Sequence, residues 1–157
     1  MFYIAVVGGS VCTEEEKQLA RDTGKEIARR GGVVLCGGGS GVMEAASEGA
    51  ASEGGVVLGI LPGGDRRQGN LYLSFSIATG LGEARNAIIT RTADAVIAVD
   101  GEYGTLSEIA LALKMGKPVV GINSWFLQSP SRDGQVILEA ETGEEAVELA
   151  INAAQKP

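Results

Sequence analysis

The stretch "VVLCGGGSGVMEAA", Val33–Ala46, decides how the chain is read. Val33 to Cys36 form a short apolar run of the kind that makes a fully buried strand. Three glycines follow at once, then Ser40 and Gly41, and from Val42 the small residues continue at helical spacing. Glycine loses more conformational freedom on ordering than any other residue. A run of it pressed against a strand end marks backbone that something must approach closely. Strand, glycine turn and helix in this order make half of a parallel βαβ unit, with the helix start available to an anion.

The same alternation extends outward in both directions. Tyr3–Val7, Val56–Leu61, Asp94–Val99 and Lys117–Ile122 are further apolar runs, with a short strand expected at Leu73–Ala78 and an edge strand in "QVILEA". Between them lie helical patterns. The first follows Thr13, which stands three residues before Glu16 in capping-box spacing. Others are "GEARNAIITRTA", "GTLSEIALALKMG" and the closing segment Glu144–Gln155, and a loop is expected over Ser129–Gly134. Strands that are apolar throughout need cover on both faces. The expectation is an α/β chain, residues 1–157 forming one doubly wound Rossmann-like domain. Its sheet would be mostly parallel, of about six or seven strands, with helices on both faces.

Composition narrows the function. Of 157 residues, 24 are glycine, about twice the usual share of roughly 7%. They cluster at expected strand ends rather than at a collagen period. The net charge of −7 argues against nucleic acid and anionic membrane as partners. Histidine is absent, which removes His-based nucleophile pairs and His-ligated metal, so no metal site is expected. Cys12 and Cys36 lack metal or redox spacing and read as reduced, partly buried residues. The N-terminus has no signal-peptide pattern and no run approaches the roughly 20 apolar residues of a membrane span, so a cytoplasmic protein is expected.

Three glycine turns fall at strand ends: Gly8-Gly9-Ser10, Gly37-Gly38-Gly39-Ser40-Gly41 and Gly101–Thr105. The fold would gather them at one edge of the sheet, where their amides and the adjoining helix starts suit a phosphate. None has the GxGxxG spacing of dinucleotide binding or a Walker lysine. The expected ligand-binding set is Gly8, Gly9, Ser10, Gly38, Gly39, Ser40, Gly41, Met43, Arg85, Asn86, Gly101, Tyr103, Gly104 and Thr105. Several have other readings. Thr105-Leu106-Ser107-Glu108 also has capping-box spacing, so Glu108 could serve the helix alone. Arg85 could be a surface ion-pair partner, Met43 a packing residue, and Tyr103 either a turn aromatic or a stacking surface for a ligand.

"CGGGSGVMEAA", "LGILP", "GEARN" and "DGEYGTLSEIALAL" together resemble the LOG family of cytokinin riboside 5′-monophosphate phosphoribohydrolases, also described as lysine decarboxylase-like. The resemblance covers Tyr3 to Ile122. A subgroup of that superfamily, the molybdenum cofactor carrier proteins, is more similar still through "TGLGEARN" before the GxxGTxSE segment. No local signature of a pyridoxal phosphate site is visible. By resemblance, Arg85 matches the arginine of the family's Arg-Lys pair, with Asn86 in the lysine's place. Gly101, Gly104, Thr105 and Glu108 match the family's GxGTxxE frame. Asp100 and Glu102 replace a proline and a glycine there and add negative charge beside the expected phosphate.

The resemblance implies one of two activities. A carrier would hold a phosphate-bearing nucleotide or pterin, such as the molybdenum cofactor, without turning it over. A LOG-type phosphoribohydrolase would release the free base from a nucleoside monophosphate. Glu108 would then stabilise oxocarbenium charge or position water, and Arg85 would hold phosphate or orient the carboxylate. Neither requires a cofactor of its own. A homodimer or homotetramer is expected from the resemblance and from the small-residue helices.

Overall fold

The computed structural model describes residues 1–131 and 136–157. Seven strands form one sheet: β1 (Tyr3–Gly8), β2 (Val33–Cys36), β3 (Val56–Leu61), β4 (Phe75–Ala78), β5 (Ala95–Val99), β6 (Val119–Ile122) and β7 (Leu138–Ala140). Their order is β4-β3-β2-β1-β5-β6-β7, and every neighbouring pair is parallel. The fold is an α/β Rossmann-like one, as the buried apolar runs imply. Of the loop expected at 129–134, residues 132–134 lie outside the described residues, as does Gln135 at the start of "QVILEA". The order reverses between β1 and β5, so the loops leaving these two strands diverge and open a crevice at their carboxyl ends.

Five helices cover the sheet. On one face α1 (Glu14–Arg29), α2 (Val42–Ser52) and α5 (Gly143–Ala154) bury Ile27, Val42, Ala46 and Val147 against Ile4, Val6, Val34 and Ile97. On the other, α3 (Asn86–Thr92) and α4 (Tyr103–Lys114) bury Ile89, Ile109 and Ala112 against Ala5, Val7, Leu35 and Val96. The capping box before α1 is complete: Glu16 N donates to Thr13 Oγ1 (3.2 Å) and Thr13 N donates to Glu16 Oε2 (3.0 Å). Burial raises the pKa of the Cys36 thiol inside the first core.

α1 and α2 meet backbone to backbone. A side chain on Gly24 would collide with the Ala46 carbonyl, and one on Gly49 with the Arg21 carbonyl. The contact fixes where α2 begins relative to the sheet. The second face is less fully covered. Phe75 and Ile77 pair in register with Leu58 and Ile60, so they continue the α3–α4 side of the sheet, yet both stay exposed on edge strand β4. No helix among the described residues is long and apolar enough to cross a membrane.

Candidate functional site

A cleft of about 550 Å³ opens at the carboxyl ends of β1 and β5, the point where strand order reverses. That volume is in the range of small-molecule sites. Its walls come from several strand ends. Gly8, Gly9 and Ser10 follow β1, Gly37 follows β2, Pro62 follows β3, and Tyr103, Gly104, Thr105 and Glu108 come from α4 after β5.

The first two turns are locked together. Val42 N donates to the Gly9 carbonyl (3.1 Å), and Ser40 Oγ donates to the Ser10 carbonyl (3.1 Å). Gly41 has φ of 68°, and a side chain there would run into the Gly9 carbonyl, so this junction requires glycine. The lock changes the role of the glycine run. Gly38, Gly39, Ser40 and Gly41 lie outside the cleft lining. Gly38 and Gly39 are held instead by Asn70: its backbone N donates to the Gly38 carbonyl (2.9 Å) and its Nδ2 to the Gly39 carbonyl (3.0 Å). Gly37 faces the cleft, and Met43 lines it from the first turn of α2.

Arg85 enters from a short 3-10 turn, Gly82–Arg85, directly before α3. Its Nε donates to the Ile60 carbonyl (2.9 Å), and its Nη1 donates to Asn86 Oδ1. Asn86, buried at the start of α3, donates from Nδ2 to Ser107 Oγ (3.4 Å), which in turn donates to the Gly104 carbonyl (2.7 Å). A continuous chain thus runs from β3 through Arg85 and Asn86 to the first turn of α4. Arg85 is not the surface ion-pair partner its type allows.

α4 starts at Tyr103, with Glu102 as its N-cap and no side chain capping it. Thr105 and Glu108 therefore do not form the capping box that their spacing permits, because Thr105 already lies inside the first turn. The first N–H groups of an α-helix have no acceptor within it, and here that turn borders the cleft. Gly101 stands outside the lining, with φ of 116°, and a side chain there would meet Thr105.

Glu108 is buried, 7% exposed, at the cleft wall. Burial penalises its charged form and raises its pKa to about 7, while the positive charge of Arg85 pulls the other way. The site therefore holds a carboxyl group that changes charge near neutral pH. Val6, Val7, Val11, Pro62, Glu83, Glu102 and Ser107 also line the cleft. The quoted motifs contain Glu102, Glu83, Pro62 and Ser107 without naming them as site residues, Val6 and Val7 read as core, and Val11 carried no signal. Among the described residues no group of three or more His, Cys, Asp or Glu side chains converges as a metal site would.

Known proteins place this arrangement in context. The chain is 43% identical over 99% of both lengths to an uncharacterized protein of Archaeoglobus fulgidus. It is 37% identical to a probable cytokinin riboside 5′-monophosphate phosphoribohydrolase of Oryza sativa subsp. japonica, over 55% of this chain and 36% of the rice protein. Among solved structures, the molybdenum cofactor binding protein of Rippkaea orientalis superimposes with a TM-score of 0.86 at 37% identity, covering 96% of this chain and 95% of that one. The molybdenum cofactor carrier protein of Chlamydomonas reinhardtii gives 0.83 at 32% identity, covering 98% of each. The match to the SLOG cluster4 family takes in residues 1–154, and with them every wall of the cleft: the chain belongs to that family, within the LOG-like superfamily.

Proposed function

We propose that this protein binds a small phosphate-bearing ligand of the pterin or nucleotide type, the molybdenum cofactor foremost, in the cleft between β1 and β5 and holds it without turnover. The observation that carries the reading is the convergence of the Gly8–Ser10 turn and the uncapped first turn of α4 on one cleft. Backbone amides at such a helix start attract an anion without needing a cluster of cationic side chains. The likeness to molybdenum cofactor carrier and binding proteins over nearly the whole chain supports a carrier. No cofactor of the protein's own is needed, and the cofactor is cargo.

A second reading has one observation in its favour. Glu108 places a buried carboxyl on the cleft wall, as a phosphoribohydrolase would use. One feature weighs against it. A carboxyl that titrates near 7 is only partly charged at neutral pH. A half-neutral group stabilises an oxocarbenium ion poorly.

The net charge of −7 argues against nucleic acid as the partner. A homo-oligomer belongs to the same reading. The uncovered apolar face at Phe75 and Ile77 offers a second copy a two-fold surface beside an unpaired strand edge.

Calorimetric titration with AMP and with molybdenum cofactor, alongside chromatography for released adenine, tests the proposal. Saturable binding without base release is expected. Sustained adenine release would replace the carrier by the hydrolase, and absence of binding to both ligands would end both readings.

A further inference from the structure

Gly104 is a glycine the protein does not need for itself. Its φ is not positive, and a Cβ built on it would meet no atom outside its neighbours within 4 Å. Glycine favours helix less than alanine does, and nothing in the packing of α4 requires it in this first turn. Beside it, Tyr103 is 81% exposed, and both residues line the cleft. An aromatic ring left this open next to a missing side chain creates a flat surface with free space along it.

Trp125 is the ring neighbour of Tyr103. The two ring centroids are 6.1 Å apart with planes tilted by 33°. This distance lies within the range in which aromatic pairs attract. Ser124 Oγ donates to the Asp100 carbonyl (2.7 Å), and Asp100 N donates to the Ile122 carbonyl (3.0 Å). These bonds tie the segment carrying Trp125 to the turn that launches α4. The tyrosine thus has one aromatic neighbour and is otherwise open.

Building on the phosphate reading above, we propose that Tyr103, with Trp125 as its ring neighbour, is the stacking platform for a planar heteroaromatic ring, and that Gly104 is glycine to leave that ring room. The site then selects a ligand with a phosphate at one end and a flat heterocycle at the other. Sugar phosphates without a ring engage only the glycine turns. Stacking of this kind tolerates purine and pterin alike, because both present a π-face.

Trp125 is the only tryptophan in the chain, so its fluorescence reports on the platform. The test titrates wild type and Tyr103→Ala with AMP, with neopterin monophosphate and with ribose phosphate, reading fluorescence and calorimetry together. In the wild type the two ring ligands are expected to change Trp125 emission. Ribose phosphate is expected to compete with them while leaving emission unchanged. Tyr103→Ala should weaken the ring ligands on the order of tenfold and leave ribose phosphate binding as it was. Tyr103→Phe should restore the ring ligands. Equal effects of Tyr103→Ala on all three ligands, or none on any, would overturn the platform while leaving the phosphate site intact. Binding of none of them to the wild type would remove the phosphate reading and the platform with it.

Discussion

The Arg85 guanidinium fills the space that a side chain on Gly37 would need. A Cβ built on Gly37 comes within 2.5 Å of Arg85 Nη2 and within 2.8 Å of Met43 Sδ. The end of β2 therefore acts as a stop for the arginine, which its bonds to Ile60 and Asn86 hold from the other side.

Gly37→Ala should accordingly push Arg85 out of place. Overpacking of this kind costs about 1–3 kcal/mol, visible as a lower midpoint in urea. Arg85→Ala removes the obstructing group, so the double variant should lose less than the sum of the two singles. Such non-additivity is the mark of direct contact. Strictly additive losses would show that the two residues do not press on one another.

Glu108 gives a pH-dependent prediction with a definite sign. Its folded pKa of about 7 lies above the ordinary value of 4.5, so the folded state binds this proton more tightly than the unfolded chain does. The resulting stability is fully present below pH 4.5 and is lost as pH rises to about 7 and beyond. The span corresponds to about 3 kcal/mol. Glu108→Gln keeps the shape and removes the titration. Measured by urea denaturation across this range, the variant should match wild type in acid and exceed it in stability above neutrality. A difference that does not vary with pH would contradict the shifted carboxyl.

The exposed face of β4 leads to a third expectation. Phe75 is 63% exposed and Ile77 48%. Phe75→Lys with Ile77→Lys should reduce the mass measured by light scattering while the far-ultraviolet circular dichroism stays unchanged. A wild type that is already monomeric would refute a second copy as the partner of this face.

Thr13→Ala removes the side-chain acceptor of the α1 cap. The expected cost is about 1 kcal/mol, or a melting temperature lower by roughly 2–4 °C for a chain of this size. Ligand affinity should not change, because Thr13 is not among the cleft residues.

Much of this was readable in the residues. Continuous apolar runs such as Val33–Cys36, bounded by glycine, read as strands covered on both faces, and the sheet is parallel throughout. Thr13 and Glu16 announced their cap by spacing alone. Thr105 and Glu108 show the same spacing, but the N-cap is Glu102, three residues earlier, so of the two open readings of Glu108 the cap is not the one the helix uses. The glycine run carried a similar ambiguity. Gly37 meets the cleft, while Gly38 and Gly39 spend their carbonyls on Asn70, a residue more than thirty positions away. Local sequence does not encode such a partner. Glu83 stood inside "GEARN", read as the start of a helix, but it lies on a 3-10 turn ahead of α3, and that turn is what brings it to the cleft.

The seam where Gly24 meets the Ala46 carbonyl and Gly49 meets the Arg21 carbonyl has no side chains to relax, since main chain touches main chain. A substitution on either glycine would have to move a whole helix. α2 is therefore a fixed datum, and the turn that Val42 anchors to Gly9 inherits that fixity. The opposite bank of the cleft is mixed: Glu83, Glu102 and Tyr103 are exposed, while Arg85 and the buried Asn86 are tied to the Ile60 carbonyl and Ser107. Mutational drift meets unequal resistance on the two banks. A lineage built on this scaffold can exchange its guest by editing Glu83, Glu102 and Tyr103 while the backbone of the Gly8–Ser10 turn stays the same.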